Sequence, residues 1–188
     1  MTGEVKSDRN PGRWILLLLT VAFLGPIAVA VLLYATGEWR ASGSTVHGVL
    51  LNPPRLLPTE AGISQMRGKW TLIYLGSGHC DQSCDISLGE MRQLRRSLGK
   101  EMSRVQRVYV VTDGVADSRD LHREDPGLIV IADPSASSAL VNAVGTRNEG
   151  DIFLADPLGN LVLRYPASTE LKGMYEDLQR LLKASGVG

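Results

Sequence analysis

Residues 69–87 read KWTLIYLGSGHCDQSCDIS. The first seven, 69–75, put aromatic and β-branched side chains in a short run without polar alternation, the pattern of a strand buried on both faces. Gly76, Ser77 and Gly78 then make a slim connection, and a helix is expected over 84–98. A strand that passes through a short loop into a helix is the unit of an α/β domain. Outward from it, 105–112 (VQRVYVVT) and 127–132 (GLIVIA) read as further central strands. The segments 151–155 and 161–165 flank Asp156-Pro157-Leu158-Gly159-Asn160, a turn sequence, and predict a hairpin. Helices are expected over 136–144 and 169–183, the latter with Leu171, Met174, Tyr175, Leu178, Leu181 and Leu182 on one face, which a core role explains. The order predicts a three-layer α/β domain of mostly parallel strands finished by an antiparallel pair, with no internal repeat.

Ahead of this domain, 14–35 reads WILLLLTVAFLGPIAVAVLLYA, 22 residues without a charge. At ~1.5 Å rise per residue that length spans a hydrocarbon core of ~30 Å. Trp14 and Tyr34 stand near its two ends, where amphipathic rings favour the headgroup level, and Pro26 is expected to kink it. A cleaved signal peptide is the rival reading, because Ala28-Val29-Ala30 fits a small-x-small cut. The apolar run continues past that cut through Leu33 and Tyr34, so a transmembrane helix is preferred. Lys6, Arg9 and Arg13 precede the helix and Arg40 alone follows closely, so 1–13 is expected in the cytoplasm and everything after the helix outside it, in the periplasm or its equivalent. The plasma (inner) membrane is thus the expected location, crossed once. Residues 36–59, rich in Gly, Ser and Pro, suit a tether, with 46–51 available as a short edge strand, and 60–188 form the folded domain.

The chain has 188 residues with 20 basic and 20 acidic side chains, so no basic field exists to recruit phosphate backbones, and nucleic acid is not an expected partner. Its two cysteines, Cys80 and Cys84, cannot staple a fold, and their value is chemical. If the helix starts at or just before Cys80, both sulfurs share one face with their Cβ atoms about 5 to 6 Å apart, close enough to grip one soft metal ion or, with adjustment, to form a disulfide. The helix N-terminus favours thiolate there, while Asp81 and Asp85 oppose it. Two buried cysteines acting as small hydrophobes are the alternative, and an exposed strand-to-helix junction argues against it.

These features resemble the SCO (SenC-like) family of thioredoxin-fold, single-helix-anchored proteins that serve the copper site of cytochrome c oxidase. The matching residues are Gly68-Lys69-Trp70, 72–76 within the strand, His79-Cys80-x-x-x-Cys84, and Asp156-Pro157-Leu158-Gly159, and with the anchor the likeness runs over roughly residues 14–182. The resemblance implies a thioredoxin-like three-layer domain with a central mixed sheet, preceded by a single transmembrane helix. It also implies copper bound by Cys80 and Cys84. Asp81 and Asp85 stand where the family usually has prolines. The family's distal histidine ligand would fall near Asn148, and 146–150 holds no histidine, nor the proline that oxidoreductases of this fold set opposite their cysteines. The chain is therefore expected to be a divergent member. Two thiolates suit Cu(I), whereas Cu(II) needs nitrogen or oxygen donors. His79 is the available replacement ligand; His47 and His122 are expected to be solvated surface residues.

Three functions follow as expectations. One is an assembly factor for a respiratory copper oxidase, delivering Cu(I) or docking on an oxidase subunit or its assembly factors. Another is a thiol-disulfide oxidoreductase in which Cys80 and Cys84 are catalytic, the one enzymatic reading, and the longer C-x-x-x-C spacing counts modestly against it. The third is a docking protein without copper chemistry. A thiol peroxidase, suggested only by Ser77 three residues before Cys80, ranks below these.

Overall fold

The computed structural model describes residues 11–36, 46–59, 63–114, 121 and 125–186. His122, the flanking charges Lys6, Arg9 and Arg40, and most of the segment between helix and domain lie outside the described residues. The chain divides into two compact units, residues 1–44 and 45–188.

The described residues of the first unit form one helix, α1 (Pro11–Thr36). Pro11 sits at its first position, where a missing N–H costs nothing, and the helix runs on through Pro26. The stretch Gly12–Leu32 has a mean hydropathy of 2.8 and is long and apolar enough to cross a membrane. Its apolar character continues all round, the mark of a helix without a water-facing side. Thr20 answers its own polarity by donating Oγ1–H to the carbonyl of Leu16 at 2.8 Å.

The second unit is built on a six-stranded mixed sheet in the order β1-β6-β5-β2-β3-β4. The strands are β1 (Val49–Leu56), β2 (Trp70–Gly76), β3 (Val105–Val111), β4 (Leu128–Ile131), β5 (Ile152–Ala155) and β6 (Asn160–Tyr165). β2, β3 and β4 run parallel. β5 is antiparallel to β2, β6 to β5, and β1 to β6. The expected run of mostly parallel strands is thus corrected: β1 joins the hairpin, and antiparallel pairings outnumber parallel ones. This strand lies within the segment read as tether. It extends beyond 46–51 because Leu56 finds a partner in Asn160, although pairing breaks between Leu50 and Arg55, where Pro53 and Pro54 have no N–H to give.

Alternation along β2 divides the core. Trp70, Leu72 and Tyr74 face one side with Leu88, Met91 and Leu94 of α2 (Gln82–Ser97) and Met174, Leu178 and Leu182 of α4 (Leu171–Ala184). Ile73 and Leu75 face the other, with Leu140 and Val144 of α3 (Pro134–Val144). Among the described elements the result is three layers, two helices, sheet and one helix, with β2 inside the sheet. One buried feature escaped the sequence reading: Arg107 of β3, 3% exposed, is gripped by Asp125, whose Oδ1 accepts from Nη2 at 2.8 Å and whose Oδ2 also accepts from Arg107 Nη1. Arg92 of α2 adds a third bond at 3.0 Å, and these guanidinium contacts, Arg107 foremost, lower the Asp125 pKa to about 2.

Candidate functional site

The C-terminal end of β2 delivers the chain to the site and is fixed from β3. Thr112 donates both its N–H and its hydroxyl to the Gly76 carbonyl, at 2.8 and 3.0 Å. Tyr109, stacked on Tyr74 with centroids 5.8 Å apart, donates its hydroxyl to the carbonyl of Ser77. Asp113 then accepts from the Gly78 N–H at 2.9 Å, and the Ser77 hydroxyl closes a tight turn on the His79 carbonyl at 2.7 Å. The strand-to-helix loop is therefore held at nearly every residue before the first cysteine.

The helix does not begin where the pairing of both sulfurs on one helical face requires. Asp81 is the N-cap of α2, its carboxylate accepting from the Cys84 N–H at 2.9 Å, so Cys80 precedes the helix and Cys84 lies in its first turn. That correction brings the two residues together differently: their Cα atoms are 5.2 Å apart and the sulfurs are joined in a disulfide. Cys80 is partly exposed, whereas Cys84 is 3% exposed and packs with Tyr74 and Leu88. Of the two residues Cys80 is the more exposed, although it too packs against the core.

Asp81 has a structural task beyond its charge. Its carboxyl is held below the usual range, first by the Cys84 N–H and next by the Ser83 hydroxyl. The N–H that could have stabilised a Cys84 thiolate is already committed to this carboxylate. Asp85, in the first helical turn, adds a second negative charge. Ser83 Oγ lies 2.9 Å from Asp81 and 2.7 Å from Glu149 Oε1, which ties the loop after α3 to the start of α2. Burial raises the Tyr74 hydroxyl above its ordinary value beneath these groups. Gly150 permits the approach, with φ at +79° and Ala167 Cβ only 2.7 Å from where a side chain would begin.

The sequence reading missed Ser83, Glu149 and Tyr74. An Asp two residues before a Ser at a helix start is a legible cap, but nothing local announces that residue 149 meets residue 83. Next to the site, Leu75, Gly76, Thr112 and residues 145–149 line an open groove of about 490 Å³. Asn148, at the place of the family's distal histidine, is exposed, and its N–H is taken by Asp151 at 2.8 Å. His79 is exposed beside Cys80. Among the described residues no three His, Cys, Asp or Glu side chains converge as a metal-binding group. His47 is exposed, as expected of a surface residue, and is also bound to Asp177 of α4, whose carboxylate accepts from its backbone N–H at 2.8 Å and lies 3.1 Å from its ring Nδ1.

Residues 70–185 match a family model described as the transmembrane-like, thioredoxin-like, C-terminal domain. The chain belongs to that family. The matched residues lie within the second unit, and the thioredoxin-like description fits its sheet and helices. No curated protein matches the sequence. Solved structures similar to it include copper-bound ScoI of Bradyrhizobium japonicum, at 24% identity and a TM-score of 0.52, covering 68% of this chain and 96% of that one. Apo Sco1 of Thermus thermophilus is similar at 21% identity and a TM-score of 0.58, covering 72% and 96%. Copper-bound yeast Sco1 is similar at 17% identity and a TM-score of 0.56, covering 65% and 84%. At these identities the likeness is one of fold.

Proposed function

We propose that this protein is a membrane-anchored, thioredoxin-fold assembly factor for a respiratory copper oxidase of the cytochrome c oxidase type, a divergent SCO-like member acting through Cys80 and Cys84. The observation that carries the reading is the pair itself: two sulfurs in bonding contact, one of them reachable, at the end of the central strand. Two-electron reduction of the disulfide by a thiol reductant yields two adjacent thiols, a donor set for soft Cu(I). Copper here is cargo. Among the described residues no third His, Cys, Asp or Glu converges on the pair, a donor set that suits Cu(I) better than Cu(II). That Sco structures with the same fold have been solved with copper bound supports the assignment.

The anchor supports an oxidase embedded in the same membrane as the client, with the domain on the periplasmic side. The direct test is Cu(I) titration of the reduced full-length protein in detergent. One equivalent lost in Cys80→Ser/Cys84→Ser is expected; no cysteine-dependent binding removes the carrier role. If that double variant still supports oxidase assembly, the protein acts by docking alone.

The asymmetry of exposure favours a second reading, thiol-disulfide exchange. A client thiolate attacks Cys80 Sγ, a mixed disulfide forms, and Cys84 departs as a thiolate that takes up a proton. In the reverse direction Cys84 resolves a mixed disulfide on Cys80 and leaves the client reduced. Cys84→Ser should then trap a client on Cys80; absence of any trapped species, with slow exchange against small disulfides, removes this reading.

A further inference from the structure

The large apolar side chains that the second unit exposes are not scattered. Among the described residues Val49, Leu50 and Leu56 of β1 are exposed, the last two at 63%. Leu158, at 71%, stands in the turn beside the end of that strand, where the Leu57 N–H donates to the Gly159 carbonyl at 2.7 Å. Pro53 and Pro54 between them are exposed as well, and only Ile86 and Met102 lie elsewhere. An exposed apolar row along one border of a domain marks a contact surface. β1 is also the outermost strand of the sheet, where unpaired backbone groups invite a partner.

The strand's own residues say which partner fits. Successive N–H groups point to opposite sides of a strand, so one of the two donors that Pro53 and Pro54 lack falls on the outer side. A further strand, from a second copy or a client, would find its ladder broken there, whereas a lipid surface needs no ladder and its hydrated headgroups satisfy the remaining backbone. Charge agrees. Arg55 is the one charged residue of β1, and its guanidinium donates to the carbonyls of Ala143 and Val144, which leave its charge in place. Arg67 is exposed beside Gly159. The neighbouring acid, Asp156, turns its carboxylate onto the Leu158 and Asn160 N–H groups at 2.9 and 2.8 Å. Apolar contacts next to basic side chains suit phosphate headgroups. The covalent chain keeps the strand near them: from Thr36, the end of α1, to Val46, which packs on the core, the backbone spans at most about 35 Å.

We propose that the β1 edge, through Val49, Leu50, Leu56 and Leu158, rests on the lipid surface of the membrane at headgroup level. The proposal rests on the reading of α1 as a membrane span and not on the chemistry of Cys80 and Cys84. Its consequence for them is one of height: β2 lies three strand spacings from that edge, about 14 Å, which holds the pair at its end close above the headgroups. The test uses full-length Cys80→Ser/Cys84→Ser protein with a single bimane label at Leu158→Cys or, as control, at Met102→Cys, reconstituted in vesicles of phosphatidylcholine and phosphatidylglycerol. Headgroup-bound nitroxide is expected to quench the label at position 158 roughly twofold more than that at position 102, and Leu50→Asp/Leu56→Asp to bring the two level. Flotation with the vesicles separates the readings: protein that does not float overturns both, and floating protein with equal quenching at the two positions overturns docking alone. Quenching at 158 that survives Leu50→Asp/Leu56→Asp comes from the dye itself and overturns the proposal, as does a label at 158 covered by a second copy, seen as crosslinked pairs. The comparison of the two labels without the aspartates stands if that variant fails to fold.

Discussion

Replacing Asp125 by asparagine keeps its shape and removes its charge from the most buried ion pair of the domain. The wild-type carboxyl titrates at about 2 instead of an ordinary 3.8, which corresponds to about 2 kcal/mol of stability at neutral pH. That figure measures only protonation of a group that can still accept a bond. The asparagine variant also leaves the Arg107 guanidinium, 3% exposed, without a counter-charge, and stranding a buried charge in this way costs about 3 to 5 kcal/mol. Because the amide oxygen still accepts one of the guanidinium bonds, we place the loss near the bottom of that range, at about 3 kcal/mol. Denaturant unfolding of the full-length protein in detergent, followed by the fluorescence of buried Trp70, gives the number. The acid limb gives the sign. A depressed folded-state pKa contributes fully above the ordinary carboxyl range and is lost as pH falls from about 4 to about 2. The variant should therefore lack that portion of the wild type's pH dependence. A loss below about 1 kcal/mol, with acid limbs that coincide, would refute the reasoning.

Other expected outcomes follow from single contacts. Asp81→Ala removes the acceptor for the Cys84 N–H and should lower the melting temperature, while Asp81→Asn, which keeps a capping oxygen, stays closer to wild type in the same thermal scan. Gly173→Ala drives a methyl group into the His47 ring and should destabilise by about 1 to 3 kcal/mol in denaturant unfolding, with the His47 NMR signals shifted as the ring leaves Asp177. Leu154→Ala, at a fully buried position of β5, should cost about 2 to 5 kcal/mol by the same unfolding measurement.

The central layer of this fold is legible in the sequence because its strands bury both faces. Segments 69–75, 105–112 and 127–132 are short runs dominated by aromatic and β-branched side chains, and β2, β3 and β4 fall on them, with Arg107 the one charge carried inside. The strand β1 is harder to read, since Asn52, Pro53 and Pro54 interrupt its pattern and it owes its place to β6, more than a hundred residues later. The start of α2 is misjudged for a similar reason. Asp81 and Asp85 read as charges acting on thiols, whereas Asp81 first serves as the cap, and that shifts Cys80 off the helix. The two cysteines stand out by scarcity and spacing. The Ser83–Glu149 and His47–Asp177 contacts join residues 66 and 130 apart, and no local pattern encodes either meeting.

The central claim is that Cys80 and Cys84 together form the working site of an anchored copper-assembly factor. X-ray absorption at the copper edge, on the reduced full-length protein loaded with one equivalent of Cu(I), tests it most directly. The account predicts Cu(I) bound by two sulfur donors without imidazole scattering, and loss of that signal in Cys80→Ser/Cys84→Ser. A nitrogen-dominated shell, or copper retained unchanged in the double variant, would contradict it.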